Sequence, residues 1–243
     1  MSERSKPSIF WLFAIFALPI MGLMVKFRLH DVEKMPQKGA VVITPNHYSN
    51  IDPVVIGVAT WYMGRLPRFM AKASILKVPV LGWILLKSGQ IPVERGGTSR
   101  SSAALMAAKE LVSKERAVIV YPEGSLTRDP DIWPMRGKSG AVRLALELGI
   151  PVIPVAHWGT QNLMARYSKK INVFPRHTID VKVGDPVDLS EFAGKPLDNK
   201  TLTTATTKVM DAITALLEDL RGEKAPATRW NPAEHNQSET GRF

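Results

Sequence analysis

The chain has 243 residues, with 32 Lys+Arg against 22 Asp+Glu, a net charge of +10 and no cysteine. A chain of this length can form one α/β domain with a sizeable core plus appendages, and two full domains are not expected. The lack of cysteine excludes disulfides, thiolate metal sites and a cysteine nucleophile, while the positive charge suits phosphate-bearing ligands, acidic lipid headgroups or nucleic acid.

From Ile9 to Val25 no residue is charged, and Arg4 and Lys6 before the run are matched by Lys26 and Arg28 after it. As a helix these 17 residues would reach about 25 Å, short of the roughly 30 Å hydrocarbon core of a bilayer. Pro19 and Gly22 interrupt the run, and no small-x-small cleavage site precedes Lys26. The expectation is a membrane-anchoring helical segment or monotopic hairpin over residues 1–30, at the cytoplasmic face of the cell membrane. A single span, a core helix and a signal peptide are the alternatives.

From Met35 onward short apolar runs alternate with helical patterns. Strands are predicted at Ala40 to Thr44, Arg68 to Ala71, Gln90 to Val93, Ala117 to Tyr121, Val152 to Ala156 and Thr178 to Val183. Helices are predicted at Pro53 to Met63, Val80 to Lys87, Ser99 to Ser113, Gly140 to Leu148 and Lys200 to Leu220. The alternation implies an α/β fold, a largely parallel central sheet flanked by helices, over residues 31–221. In the last helix Val209, Ile213, Leu216 and Leu220 form a stripe that would pack on the sheet. Residues 222–243 are polar, carry Pro226 and Pro232, lack periodicity, and read as a disordered tail.

Four segments carry candidate chemistry. The first, Asn46-His47-Tyr48-Ser49-Asn50-Ile51-Asp52, follows a predicted strand and so lies at its C-terminal edge, where open α/β sheets bind ligands. Histidine takes a proton near neutral pH, and a nearby carboxylate can fix its tautomer and stabilise the imidazolium. The bare pair also fits a loop histidine beside a helix-capping aspartate, with Pro53 at the first helical position. The second segment, Gly89-Gln90-Ile91-Pro92-Val93-Glu94-Arg95-Gly96-Gly97, ends a strand in an arginine suited to bidentate phosphate recognition. A surface ion pair with Glu94 is the alternative. The third, Tyr121-Pro122-Glu123-Gly124-Ser125-Leu126-Thr127-Arg128, reads as a turn after a strand. The fourth runs from Lys138-Ser139-Gly140 to the strand Gly149-Ile150-Pro151-Val152-Ile153-Pro154-Val155-Ala156, whose prolines predict an edge position or a bend. Between the first two, from Trp61 to Arg100, seven basic residues stand against one acidic among apolar side chains, the mix of an anionic lipid interface or a solvated basic face.

In this order the four segments resemble the blocks of the 1-acylglycerol-3-phosphate acyltransferases, in the glycerolipid acyltransferase family. The resemblance covers about Gly39 to Gly159. It implies that His47 and Asp52 are catalytic and that Arg95 contacts the phosphate of the glycerol substrate. Asn46 and Ser49 of the first block, Lys72, and Glu123, Gly124 and Ser125 of the third are implied around the substrate. Leu126 stands where an arginine is usual, leaving Arg128 as a substitute, and Lys138 could add positive charge. Pro92 stands where phenylalanine is frequent.

The resemblance implies that a thioester donor, acyl-CoA or acyl carrier protein, meets lysophosphatidic acid at an anionic membrane surface. No metal or other cofactor and no nucleic-acid partner is expected. His47 would act as general base on the acceptor hydroxyl and Asp52 would orient it, by analogy with serine hydrolases. Glycerol 3-phosphate or another lysolipid is the alternative acceptor. Two other classes stay open: a metal-dependent phosphohydrolase, for which His30, His157, His177 and His235 offer no paired ligand spacing, and a non-catalytic membrane-binding relative.

Overall fold

The computed structural model of the protein describes residues 3, 8–72, 82–83, 87–93 and 110–238, for 71, 72, 92 and 93 the backbone only. Arg95, the Lys72 side chain, most of the predicted helices at Val80 to Lys87 and Ser99 to Ser113, and much of the basic stretch before Arg100 lie outside the described residues.

Helix α1 spans Ile9–Met24 and runs directly into strand β1, Val25–His30. Then come β2 (Val41–Pro45), α2 (Asp52–Tyr62), β3 (Met70–Lys72), β4 (Ile91–Val93), β5 (Ala117–Ile119), α3 (Gly140–Leu148), β6 (Val152–Trp158), the short α4 (Thr160–Leu163), β7 (His177–Val183) and α5 (Asn199–Arg221). Five strands form one sheet in the order β1-β7-β6-β2-β5. β3 and β4 pair with each other, and Phe69 bridges in parallel to Ile119, which carries the sheet past β5. Among the described residues four of the five strand pairings are parallel; β6 with β7 is antiparallel, so β1 and β7 run against the rest.

Alternation along the inner strands explains the two-sided core. Val41 and Ile43 of β2, Ala117 and Ile119 of β5, and Ile153 and Val155 of β6 face α2 residues Val55 and Ile56. Their neighbours Val42, Val118 and Val152 face the opposite cluster, with Val142 of α3 and Val209 and Ile213 of α5. β2 is buried at every position, as a strand covered on both faces must be. Helix α5 starts where the Asp198 side chain accepts the Thr201 N–H at 2.7 Å and stops at Gly222 in the left-handed region.

Three expectations are corrected. Residues 25–30 form an edge strand, parallel to β7 with Val25 opposite His177; the unbroken apolar run ahead of it masked the alternation of Val25, Phe27 and Leu29 with Lys26, Arg28 and His30. The strand with the prolines is interior, between β7 and β2. It tolerates Pro154 because its pairing with β7 begins one residue later, at Val155, and the Pro154 carbonyl instead accepts the Gly184 N–H at 2.9 Å. Finally, the described part of the segment after Gly222 packs on the domain. The Trp230 carbonyl accepts the Arg136 N–H at 2.8 Å, Arg229 pairs with Asp211 at 2.7 Å, and Pro232 is buried.

Among the described residues no helix is long and apolar enough to cross a membrane. Helix α1 buries Phe10, Ala14 and Met21 against the domain and exposes Leu12, Phe16, Ile20 and Leu23 along its other side.

Candidate active site

Because β2, β5 and β6 are parallel neighbours, the segments that leave their C-terminal ends meet at one edge of the sheet. Asn46 to Asp52 leaves β2, Tyr121 to Arg128 follows β5, and His157 lies near the end of β6.

At the centre, His47 Nδ1 and Asp52 Oδ2 are 3.0 Å apart. Asp52 is fully buried as the first residue of α2, yet its carboxylate does not cap that helix. It turns back, and Oδ2 accepts the N–H groups of Tyr48 and Ser49, each at 2.7 Å. These bonds replace part of the hydration that burial removes. An oxygen already held by two donors requires the neutral imidazole to carry its hydrogen on Nδ1, which leaves the lone pair on Nε2. Among the described residues Nε2 has no hydrogen-bond partner. The ring stacks on Tyr121, with centroids 4.1 Å apart, and its side chain keeps 16% of its surface exposed.

Glu123 ties the third segment to the first. Its carboxyl is buried, Oε1 accepting the His47 N–H at 2.9 Å and Oε2 the Met135 N–H at 3.0 Å. Burial pushes this carboxyl up to about 8, against the opposing pull of those two N–H groups. The Thr127 N–H adds a second tie, to the His47 carbonyl at 2.7 Å.

A second histidine, which the sequence reading weighed only as a metal ligand, lies beneath the pair. His157 is buried, with Nε2 3.1 Å from the Asn46 carbonyl and 3.8 Å from Asp52 Oδ1. Burial lowers its proton affinity, which favours the neutral ring, and the acceptors beside Nε2 place the hydrogen of that ring there. Nδ1 lies 3.1 Å from the Tyr48 hydroxyl and 3.0 Å from Thr160 Oγ1. The side chain of Asn46 straddles the His157 backbone, donating to its carbonyl at 3.1 Å and accepting from its N–H at 2.9 Å. The available signal for His157 was its place near the C-terminal end of a predicted strand.

The remaining expected residues divide. Ser49 donates to the Met164 carbonyl at 2.7 Å, a structural bond. Gly124 sits at φ +70°, where a Cβ would come within 3.0 Å of the Lys138 side chain, so the two are in close contact. Ser125 is half-buried beside them. Lys138 lines a polar cavity of about 610 Å³ together with Glu123, Arg136 and Arg229; His47 is not part of its wall. Arg128 is buried, its guanidinium donating to the Tyr167 hydroxyl at 2.9 Å. Leu126 is buried. An apolar groove of about 390 Å³ runs between α1 and α2, lined by Phe13, Leu18, Val54, Gly57 and Trp61 and reaching Pro53 beside Asp52. Among the described residues no three His, Cys, Asp or Glu side chains are grouped as a metal ion would require.

The Acyltransferase family model matches residues 26–158. The chain is 29% identical over 147 residues to the chloroplastic 1-acyl-sn-glycerol-3-phosphate acyltransferase BAT2 of Brassica napus, covering 60% of this chain and 41% of that relative. It is 28% identical over 142 residues to the 1-acyl-sn-glycerol-3-phosphate acyltransferase of Borreliella burgdorferi, covering 58% of this chain and 55% of that one. The match therefore spans about half of these curated relatives. The crystal structure of the 1-acyl-sn-glycerophosphate (LPA) acyltransferase PlsC from Thermotoga maritima superposes over 90% of this chain and 82% of that chain, with a TM-score of 0.61 and 22% identity, a likeness of fold.

Proposed function

This chain belongs to the acyltransferase family, and we propose that it moves a fatty acyl group from a thioester donor to the free hydroxyl of lysophosphatidic acid, giving phosphatidic acid. One observation carries the reading: an Asp52 oxygen pinned by two backbone N–H groups holds His47 Nδ1 at 3.0 Å, which reserves Nε2 for the acceptor. Nε2 takes the hydroxyl proton as that oxygen attacks the thioester carbonyl. The tetrahedral intermediate collapses, the carbon–sulfur bond breaks, and the departing thiolate recovers the proton from the imidazolium. Asp52 stabilises the imidazolium throughout. Stacking on Tyr121 and the Glu123 bond to the His47 N–H hold the ring and its backbone in place.

The named activities of the two relatives support lysophosphatidic acid as acceptor. Arg95 is assigned to the phosphate on its motif, with Lys138 in support from the cavity wall. The donor is acyl-CoA or acyl carrier protein, and the groove between α1 and α2 fits an acyl chain, being almost wholly apolar and ending near Asp52. The exposed apolar stripe of α1 supports association with the cytoplasmic face of the membrane as a monotopic anchor.

The test is a matrix of both donors against lysophosphatidic acid, glycerol 3-phosphate and other lysolipids, with detergent-purified protein. Lysophosphatidic acid should be the acceptor turned over, and His47→Ala should lower that rate about 10²- to 10⁴-fold with the fold intact. A folded His47→Ala protein with full activity refutes the base, and turnover of another acceptor alone refutes the substrate.

A further inference from the structure

The loop between α4 and β7 has no place in the chemistry above, and its composition is unusual for a solvated connection. Residues 164–176 contain Arg166, Lys169, Lys170 and Arg176 and no acidic residue. Arg166 points inward, donating to the Thr127 and Asp129 carbonyls. The other three cations are exposed, and between them stand Ile171, Val173 and Phe174, exposed by 42, 37 and 74%. Three exposed apolar side chains within four residues, flanked along the chain by exposed cations and no acidic residue, match the surface that an anionic lipid interface selects: apolar groups for the acyl boundary and positive charge for the phosphates.

The loop is braced on the active-site side. Its first residues are held by the Ser49 hydroxyl, which donates to the Met164 carbonyl at 2.7 Å, and by the Asn50 amide, which donates to the Ser168 carbonyl at 3.3 Å. Both donors belong to the segment between His47 and Asp52. At the other end the Arg176 guanidinium donates to the Val25 carbonyl at 3.1 Å, where α1 hands over to β1. The loop therefore continues from the exposed stripe of α1 toward the catalytic segment.

We infer that residues 164–176 form a second lipid-contacting surface, with Ile171, Val173 and Phe174 entering the headgroup layer of an anionic bilayer and Lys169, Lys170 and Arg176 on its phosphates. Docked there, the loop sets His47 at the depth of a membrane-borne acceptor. That purpose rests on the membrane acyltransferase reading; the lipid contact rests on the loop's own chemistry.

The full chain is tested by flotation with phosphatidylcholine vesicles, with and without phosphatidylglycerol, alongside acyl transfer to a short-chain lysophosphatidic acid in the absence of vesicles. Lys169→Gln with Lys170→Gln should lower partition onto anionic vesicles about tenfold or more and leave neutral vesicles unaffected. Phe174→Ser should lower both about tenfold. All these variants should keep the vesicle-free rate. Phe16→Ser with Ile20→Ser reports the α1 contribution separately. Loop variants that float like the wild type, while the α1 variant does not, overturn the loop and leave membrane association standing. A wild type that fails to float overturns both. Loss of flotation in loop variants of a protein without acyl transfer supports the surface and overturns the enzyme reading alone.

Discussion

At the residue scale the site is a set of buried polar groups, each held by a specific partner. Asp52 is the clearest case, a fully buried carboxylate whose Oδ2 gathers two N–H groups and the imidazole, so its position is fixed before any substrate arrives. Glu123 behaves differently. Burial raises its carboxyl to about 8, so the folded protein keeps this proton at a pH where the unfolded chain has already released it. As pH rises from the usual carboxylate range toward 8, the group favours unfolding by up to about 1.4 kcal/mol per pH unit, and beyond that the penalty stays constant. Glu123→Gln removes the titration and retains an oxygen for only one of the two N–H donors. Denaturant unfolding of both proteins between pH 5 and 9 should therefore show a constant loss in the variant and a shallower fall with pH than in the wild type. Parallel pH profiles would place the Glu123 titration elsewhere.

At the element scale the parallel arrangement of β2, β5 and β6 brings His47, Glu123 and His157 together, and the turn that ends β6 locks the last of them. Gly159 there has φ +107°, and a Cβ would lie 2.3 Å from the Thr178 carbonyl oxygen on β7. The next residue, Thr160, supplies the hydroxyl beside His157 Nδ1. Gly159→Ala must strain the backbone and push β6 from β7, and should cost about 2 kcal/mol or more. A fall in denaturant midpoint at unchanged m value is the expected record; an unchanged midpoint would mean the turn relaxes freely. Helices α2, α3 and α5 were a legible part of this level. Helix α3 falls on its predicted bounds, Gly140–Leu148, because its apolar spacing and the glycine after it are local signals. β1 was not legible, since an apolar run long enough for a membrane anchor ends where a short half-buried strand begins.

At the scale of the whole molecule the segment after α5 closes one side of the fold. Arg229, Asn231, Pro232 and Glu234 complete the wall of the polar cavity whose other side includes Glu123 and Lys138. Ending the chain at Gly222 removes the Arg229 to Asp211 ion pair and the Trp230 carbonyl that Arg136 uses. The melting temperature should drop by at least about 2–4 °C, the shift that 1 kcal/mol produces at this size; an unchanged melting temperature would mean the packing contributes nothing. Polar composition and two prolines hid this role, because a segment that packs through a few anchors onto an existing surface needs no periodicity of its own. By itself the sequence determined the α/β class, most strands and helices, and the His47 and Asp52 pair, all of which rest on neighbours within one turn or one strand. Only the tertiary structure decided that β6 meets β7 antiparallel, that Glu123 fastens the segment from His47 to Asp52 from 76 residues away, and that His157 lies under it from 111 residues beyond Asn46. Such contacts depend on strand order and on the loss of water from buried polar atoms, and neither is written in the spacing of residues along a chain.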